Sequence, residues 1–151
     1  MARFPLGRNA TLNYSTTGPV ASMQTAGNIK DVTLNLATVE DDDTVRDNQG
    51  WETTCAVLRQ SSLDFEMKSD GTDPFYLAVE ANYYDGVPFR VIALNGPLAT
   101  VGSKGVIYWV TVTNFTRTEN IGEVQKYQVT LKPANPPAGN ATEQPDRYEV
   151  E

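Results

Sequence analysis

Lys30-Asp31-Val32-Thr33-Leu34-Asn35-Leu36 and Ser62-Leu63-Asp64-Phe65-Glu66-Met67-Lys68 decide the fold. In the first run Val32, Leu34 and Leu36 fall on one side of a pleat, with Asp31, Thr33 and Asn35 on the other. In the second, Leu63, Phe65 and Met67 alternate with Ser62, Asp64, Glu66 and Lys68. A period of two is the signature of a half-buried strand. Between the runs, Glu40-Asp41-Asp42-Asp43 opens a polar segment that closes at Asn48-Gln49-Gly50, and Trp51 starts a further strand through Thr53, Cys55 and Val57. Strands with one apolar and one carboxylate-bearing face need a dry core and a wet surface together.

Downstream, Ser69 to Pro74 reads as a turn into a helix over 74–85. Thr72 or Asp73 supplies the cap, and Pro74 suits the first turn, where its missing N–H has no partner to lose. Pro74, Leu77, Ala78, Ala81 and Tyr84 recur at helical spacing as the expected apolar stripe. Val87 to Asn95 reads as a strand. Val106 to Thr113, almost wholly β-branched or aromatic, is the strongest β segment and runs on to Thr118. After a turn at Asn120-Ile121-Gly122, Val124 to Lys132 is its hairpin partner. Residues 1–28 read as an arm ordered by a partner, or as a loop-rich terminus, with Ala2 to Gly7 a short extended piece. Residues 134–151, rich in proline and then acidic, read as an exposed arm or tail. The expectation is one domain over 29–133, an all-β core with a single helix.

Nineteen acidic and twelve basic residues give a net charge of −7 over 151 residues. Such a field disfavours tight nucleic-acid binding, yet leaves room for a protein that touches DNA without holding it. No segment has the layout of a signal peptide or the length of an apolar membrane span, which points to cytosolic synthesis without a membrane anchor. The lone Cys55 reads as a small buried hydrophobe. Sequons at Asn9, Asn13, Asn114 and Asn140 read as chance in an Asn- and Thr-rich chain.

Enzyme chemistry fares badly. The chain has no histidine, which removes most triads, most zinc sites and the usual neutral-pH base. Gly102-Ser103-Lys104-Gly105 lacks the spacing of a phosphate loop. Asp64 and Glu66 share a strand face, but a solvated sheet face accounts for them better than a glycosidase pair. Glu40 to Asp43 with Asp47 lacks the residue order of a calcium loop and reads as a solvated excursion. No catalytic residue and no cofactor are expected.

Taken in order, Ile29 to Leu36, Asn48-Gln49-Gly50-Trp51-Glu52, Ser62 to Met67, Val112-Thr113-Asn114-Phe115-Thr116-Arg117-Thr118-Glu119 and Tyr127-Gln128-Val129-Thr130-Leu131-Lys132-Pro133 resemble the major tail tube proteins of long, flexible-tailed bacteriophages. The resemblance spans about residues 29 to 133. It implies a β-sandwich or half-barrel with a flanking helix, six copies per ring, and rings stacked into a tube in the virion tail, assembled in the host cytoplasm. Each subunit would give about four strands to an inner barrel. The segment 38–50 would reach the next ring, with Glu40, Asp41, Asp42, Asp43, Val45, Arg46 and Trp51 at the contact. Implied partners are further copies of the chain, a tape measure protein, a tail terminator, distal tail or baseplate proteins, and double-stranded DNA in passage.

Twenty-four strands about 4.8 Å apart and tilted about 45° give a diameter of roughly 50 Å, leaving a bore on the order of 40 Å. On this reading Asp31, Glu52, Asp64 and Glu66 line the bore and repel phosphate, while Thr33, Asn35 and Thr54 keep it wet. Two alternatives stand beside it. One is the tube of a contractile injection or secretion device carrying protein. The other is a monomeric β-sandwich carbohydrate-binding module using Trp51 and the tyrosines.

Overall fold

In the computed structural model, which describes residues 7–140 and 142–151, the two quoted runs form one long hairpin. β3 (Ile29–Asp42) and β4 (Thr54–Lys68) pair antiparallel along almost their whole length. Residues 51–53 stay outside the strand, and the run expected to begin at Trp51 is continuous with the Ser62–Lys68 run from Thr54 onward. Residues 2–6 of the expected extended N-terminal piece lie outside the described residues.

Eight strands form one antiparallel system in the order β2-β1-β5-β6-β7-β4-β3, with β8 also on β6. The remaining elements are β1 (Thr11–Ser15), β2 (Gln24–Thr25), α1 (Pro74–Asp85), β5 (Phe89–Leu94), β6 (Lys104–Thr118), β7 (Lys126–Pro133) and β8 (Asp146–Glu149). The fifteen-residue β6 organises the rest. Its first half pairs with β5, from Gly105 to Val110, and carries β8 at Lys104–Ile107. Its second half pairs with β7 out to Thr118. A four-stranded sheet β6-β7-β4-β3 therefore leaves a second sheet at the middle of one strand.

The core fills the angle between the sheets. Leu63, Phe65, Met67, Val129 and Leu131 from one meet Leu12, Tyr14, Phe89, Val91, Tyr108 and Val110 from the other. Helix α1 closes it, inserting Phe75, whose ring lies 4.9 Å from Tyr14 and 5.6 Å from Phe65. Asp73 caps the helix by accepting from the Phe75 N–H, and Gly86 ends it in the left-handed region at φ 71°. The buried stripe is Phe75, Ala78, Val79 and Asn82. The expected stripe shared only Ala78 with it; Leu77 and Tyr84 are 49% and 70% exposed. The helix is apolar around most of its circumference, so spacing alone does not choose a side.

Both chain ends are more integrated than expected. Thr11–Ser15, inside the supposed arm, is an internal strand between β2 and β5. Its polar residues are buried with partners: Asn13 accepts from the Thr25 hydroxyl at 2.8 Å, and the Ser15 hydroxyl lies 2.7 Å from that of Ser22. At the other end, β8 pairs with β6, and Tyr148 and Val150 pack on a second small core of Ile92, Leu94 and Ile107. Cys55 is exposed, not buried.

Candidate functional site

Residues directly opposite one another in a sheet share a face, so register alone defines the polar side of the four-stranded sheet. Its rows run Lys30, Glu66, Gln128, Thr116, then Thr33, Asp64, Thr130, Asn114. Lys68, Lys126 and Thr118 lie beyond the first row, with Asn35 and Ser62 beyond the second. Asp64 accepts from the Thr130 hydroxyl at 2.6 Å and the Asn35 amide at 2.9 Å. Glu66 accepts from the Gln128 amide at 3.2 Å and lies 3.7 Å from the Lys126 ammonium.

Thr33, Asn35, Asp64 and Glu66, expected together, are together. Asp31, Thr54 and Glu52 are not with them. Asp31 sits in an irregularity of β3 between Lys30 and Thr33, at φ 55°, where an extra residue interrupts the alternation. A second irregularity sets Val39 opposite Leu58 but Glu40 opposite Ala56, so β4 has one extra residue there. Each such insertion reverses which face later residues take. Thr54, opposite Asp42, thereby turns to the side opposite Asp64, while Asp41 and Cys55 turn to the same side. Glu52 lies in the loop between β3 and β4.

The polar face is not uniformly negative. It carries Asp41, Asp64 and Glu66 against Lys30, Lys68, Lys126 and Lys132, the last opposite Thr111. Much of the negative excess lies at the far end of the hairpin, where Glu40, Asp41, Asp42, Asp43, Asp47 and Glu52 are all exposed. That end is built, not loose. Asp43 N–H donates to the Thr53 carbonyl at 3.1 Å, and the Thr44 hydroxyl bridges Thr53 N–H and C=O. Hydrogen bonds from the Thr44 side chain and backbone hold the Asp42 carboxyl below its ordinary value. Val45 and Trp51 stand 59% and 75% exposed here, with Arg46 beside them. Among the described residues no three acidic or thiol side chains converge as metal ligands would.

Two edges of this sheet carry no strand among the described residues. One is the outer edge of β3; the other is the edge of β6 beyond Val110, where β5 ends. Sequence reading located neither, because an open edge depends on which strands are absent beside it. It also missed the anchor of the C-terminal segment. The Trp109 indole donates to Glu143 at 2.8 Å, Arg90 lies 3.6 Å from the same carboxylate, and Arg90 donates to the Gly18 carbonyl at 3.0 Å. Partial burial pushes the Glu143 carboxyl up, but the hydrogen bonds from Trp109 and Asn140 and the charge of Arg90 outweigh it and leave it below its ordinary value.

No family model and no curated protein matches this sequence. Solved structures do match its fold. The tail of an empty gene transfer agent particle, refined with C6 helical symmetry, superposes with a TM-score of 0.68 at 14% identity, covering 87% of this chain and 95% of that one. The SPP1 tail tube gives 0.64 at 8% identity, over 95% and 78%. The baseplate of the anti-feeding prophage gives 0.65 at 10% identity, over 100% and 99%. The chain has the fold of tail tube proteins, mainly β with one flanking helix.

Proposed function

We propose that this chain is the self-assembling tube subunit of a phage-like tail, closing into six-membered rings that stack around a bore through which double-stranded DNA passes. The observation that carries the reading is the four-stranded sheet itself, amphipathic and, among the described residues, with no strand paired to the outer edge of β3 or to the edge of β6 beyond Val110. Strands β3, β4, β7 and β6 alternate in direction. A copy rotated about an axis on the polar side therefore brings its β3 antiparallel to the free part of β6, and the wall closes with no unpaired edge. The apolar side then packs inside each subunit while the polar rows line the bore.

The hairpin projects along the strands past the body of the sheet, and its exposed Val45, Arg46 and Trp51 with the acidic run make it the contact to the next ring. A tape measure protein inside the bore, a terminator at one end and baseplate proteins at the other complete the assembly. Catalysis plays no part. Electron microscopy of the purified chain tests this: hollow sixfold tubes support it, and a persistent monomer across salt and concentration refutes it. A second reading, the tube of an injection device carrying protein, is favoured by the end-to-end likeness to the anti-feeding prophage baseplate component. A sheath protein encoded beside this chain would decide for it. Carbohydrate binding is poorly served, since Trp51 and the exposed Tyr83 and Tyr84 sit on separate elements, the hairpin end and the helix.

A further inference from the structure

Asp64 and Glu66 stand one row apart on the same face, yet their surroundings differ. Both oxygens of Asp64 are taken by neutral donors, the Thr130 hydroxyl and the Asn35 amide. Glu66 has three lysines as its neighbours on the face, one of them within ion-pair distance. Lys30 lies directly opposite it on β3, Lys68 follows two residues on along β4 on the same face, and Lys126 Nζ is 3.7 Å from its Oε1. Its other oxygen accepts from Gln128 at 3.2 Å. Lys68 and Lys126 are directly opposite each other, a like-charge pairing that a sheet avoids unless an anion sits between or beside them. Asp31 is 3.9 Å from Lys30, with both side chains at least 70% exposed and therefore well screened.

We infer that Lys30, Lys68 and Lys126 form an anion site of phosphate-binding character that Glu66 occupies from within the chain. This rests on the reading that the polar face lines the bore. The lining then avoids DNA through local neutralisation at one residue, more than through a general negative field. Removing the Glu66 charge leaves this cluster of three lysines without its central carboxylate, repeated around each ring. Removing the Asp64 charge uncovers none, since no lysine contacts it.

Glu66→Gln and Asp64→Asn each change the charge by one, so a field acting at a distance would treat them alike. The test compares binding of a labelled 20-base-pair duplex to wild type and to each variant, as full chains, from 50 to 200 mM salt. Uncovering sites for about two further phosphates gives Glu66→Gln a gain that falls roughly tenfold across that salt range. Asp64→Asn should stay within twofold of wild type. Adding Lys126→Gln to Glu66→Gln should cancel most of the gain. Equal behaviour of the two single variants, or no gain in Glu66→Gln while its melting temperature is unchanged, overturns the inference. Should Glu66→Gln fail to fold, Glu66→Ser decides by the same comparison: a salt-sensitive gain in duplex binding supports the site, and no gain in the folded variant refutes it. Tube formation by wild type, scored by microscopy in the same preparations, judges the tube reading separately.

Discussion

Asn82 is the joint between the helix and the place where β6 changes partners. Its amide nitrogen donates to the carbonyls of Val87 at 3.0 Å and Val110 at 3.3 Å, and its oxygen accepts from the Val112 N–H at 2.8 Å. The residue is buried, and β5 has ended at Val110, so no strand remains to pair these groups. Asn82→Ala leaves the Val112 donor without a partner, at about 1–3 kcal/mol, and weakens two carbonyls at roughly 0.5–1 kcal/mol each. A total of about 2–5 kcal/mol is a large part of a typical domain stability of about 5–15 kcal/mol. With a urea slope of about 2 kcal/mol/M, the midpoint should fall by about 1–2.5 M. Asn82→Leu keeps the volume but not the hydrogen bonds, and should be no better than Asn82→Ala. Asn82→Asp keeps the acceptor but aims a charge at two carbonyls. Burial raises the pKa of such a group, so its deficit should shrink as pH falls and it gains a proton. A midpoint loss below about 0.5 M in Asn82→Ala, or a leucine variant as stable as wild type, would show that packing alone holds the joint.

Other outcomes follow from single contacts. A Cβ on Gly105 would run into the carbonyl oxygen of Ala93 on the paired strand, so Gly105→Ala should force β5 and β6 apart and cost about 3 kcal/mol or more, read by thermal unfolding. Because the Glu143 carboxyl is depressed, the stability it contributes is present above the ordinary carboxylate range and is lost as pH falls through its folded value. In a Trp51→Phe background, Trp109 fluorescence should therefore report loosening of the C-terminal segment on acidification, and Glu143→Gln should loosen it already at pH 7 with little further change. Trp51→Ala, at a 75% exposed position, should leave monomer stability within about 0.5 kcal/mol while lowering the ratio of long tubes to free rings in micrographs; unaltered tube length would remove Trp51 from the stacking contact.

The hairpin, the helix and the β6–β7 pair were legible because each obeys one period over many residues. Leu63 to Met67 alternates without a break, and Asp73-Pro74 marks a helix start by geometry that a proline imposes. Three things were not legible. β1 buries Asn13 and Ser15 as well as Leu12 and Tyr14, so its polar residues hid a strand whose two faces are both covered. β8 contributes four residues to an edge, and its placement depends on Trp109, Arg90 and Glu143 meeting across more than thirty residues of chain. Counting twos misplaces Asp31 and Thr54, because the count runs through the irregularities in β3 and β4 and one inserted residue reverses it. No local feature of the sequence marks them; both are non-glycine stretches, and Asp31 tolerates a positive φ because its short polar side chain does.

Net charge and the charge of one sheet face are separable quantities. The overall value of −7 suggests a uniformly acidic face, yet alternation sends Lys68, Lys126 and Lys132, and the irregularity in β3 sends Lys30, to the same side as Asp64 and Glu66. The surplus carboxylates are carried instead by the end of the hairpin, where solvent on all sides lowers the cost of crowding like charges. A surface that must stay wet without binding a polyanion has two physical routes, repulsion or internal neutralisation. Repulsion needs unpaired carboxylates and weakens steeply with salt. Neutralisation places each charge within reach of a partner on the same face, as Glu66 is with Lys126 and Gln128. If the polar face lines a DNA-conducting bore as proposed, its hydrogen-bonded rows follow the second route, and resistance to DNA binding should fail at Glu66 first.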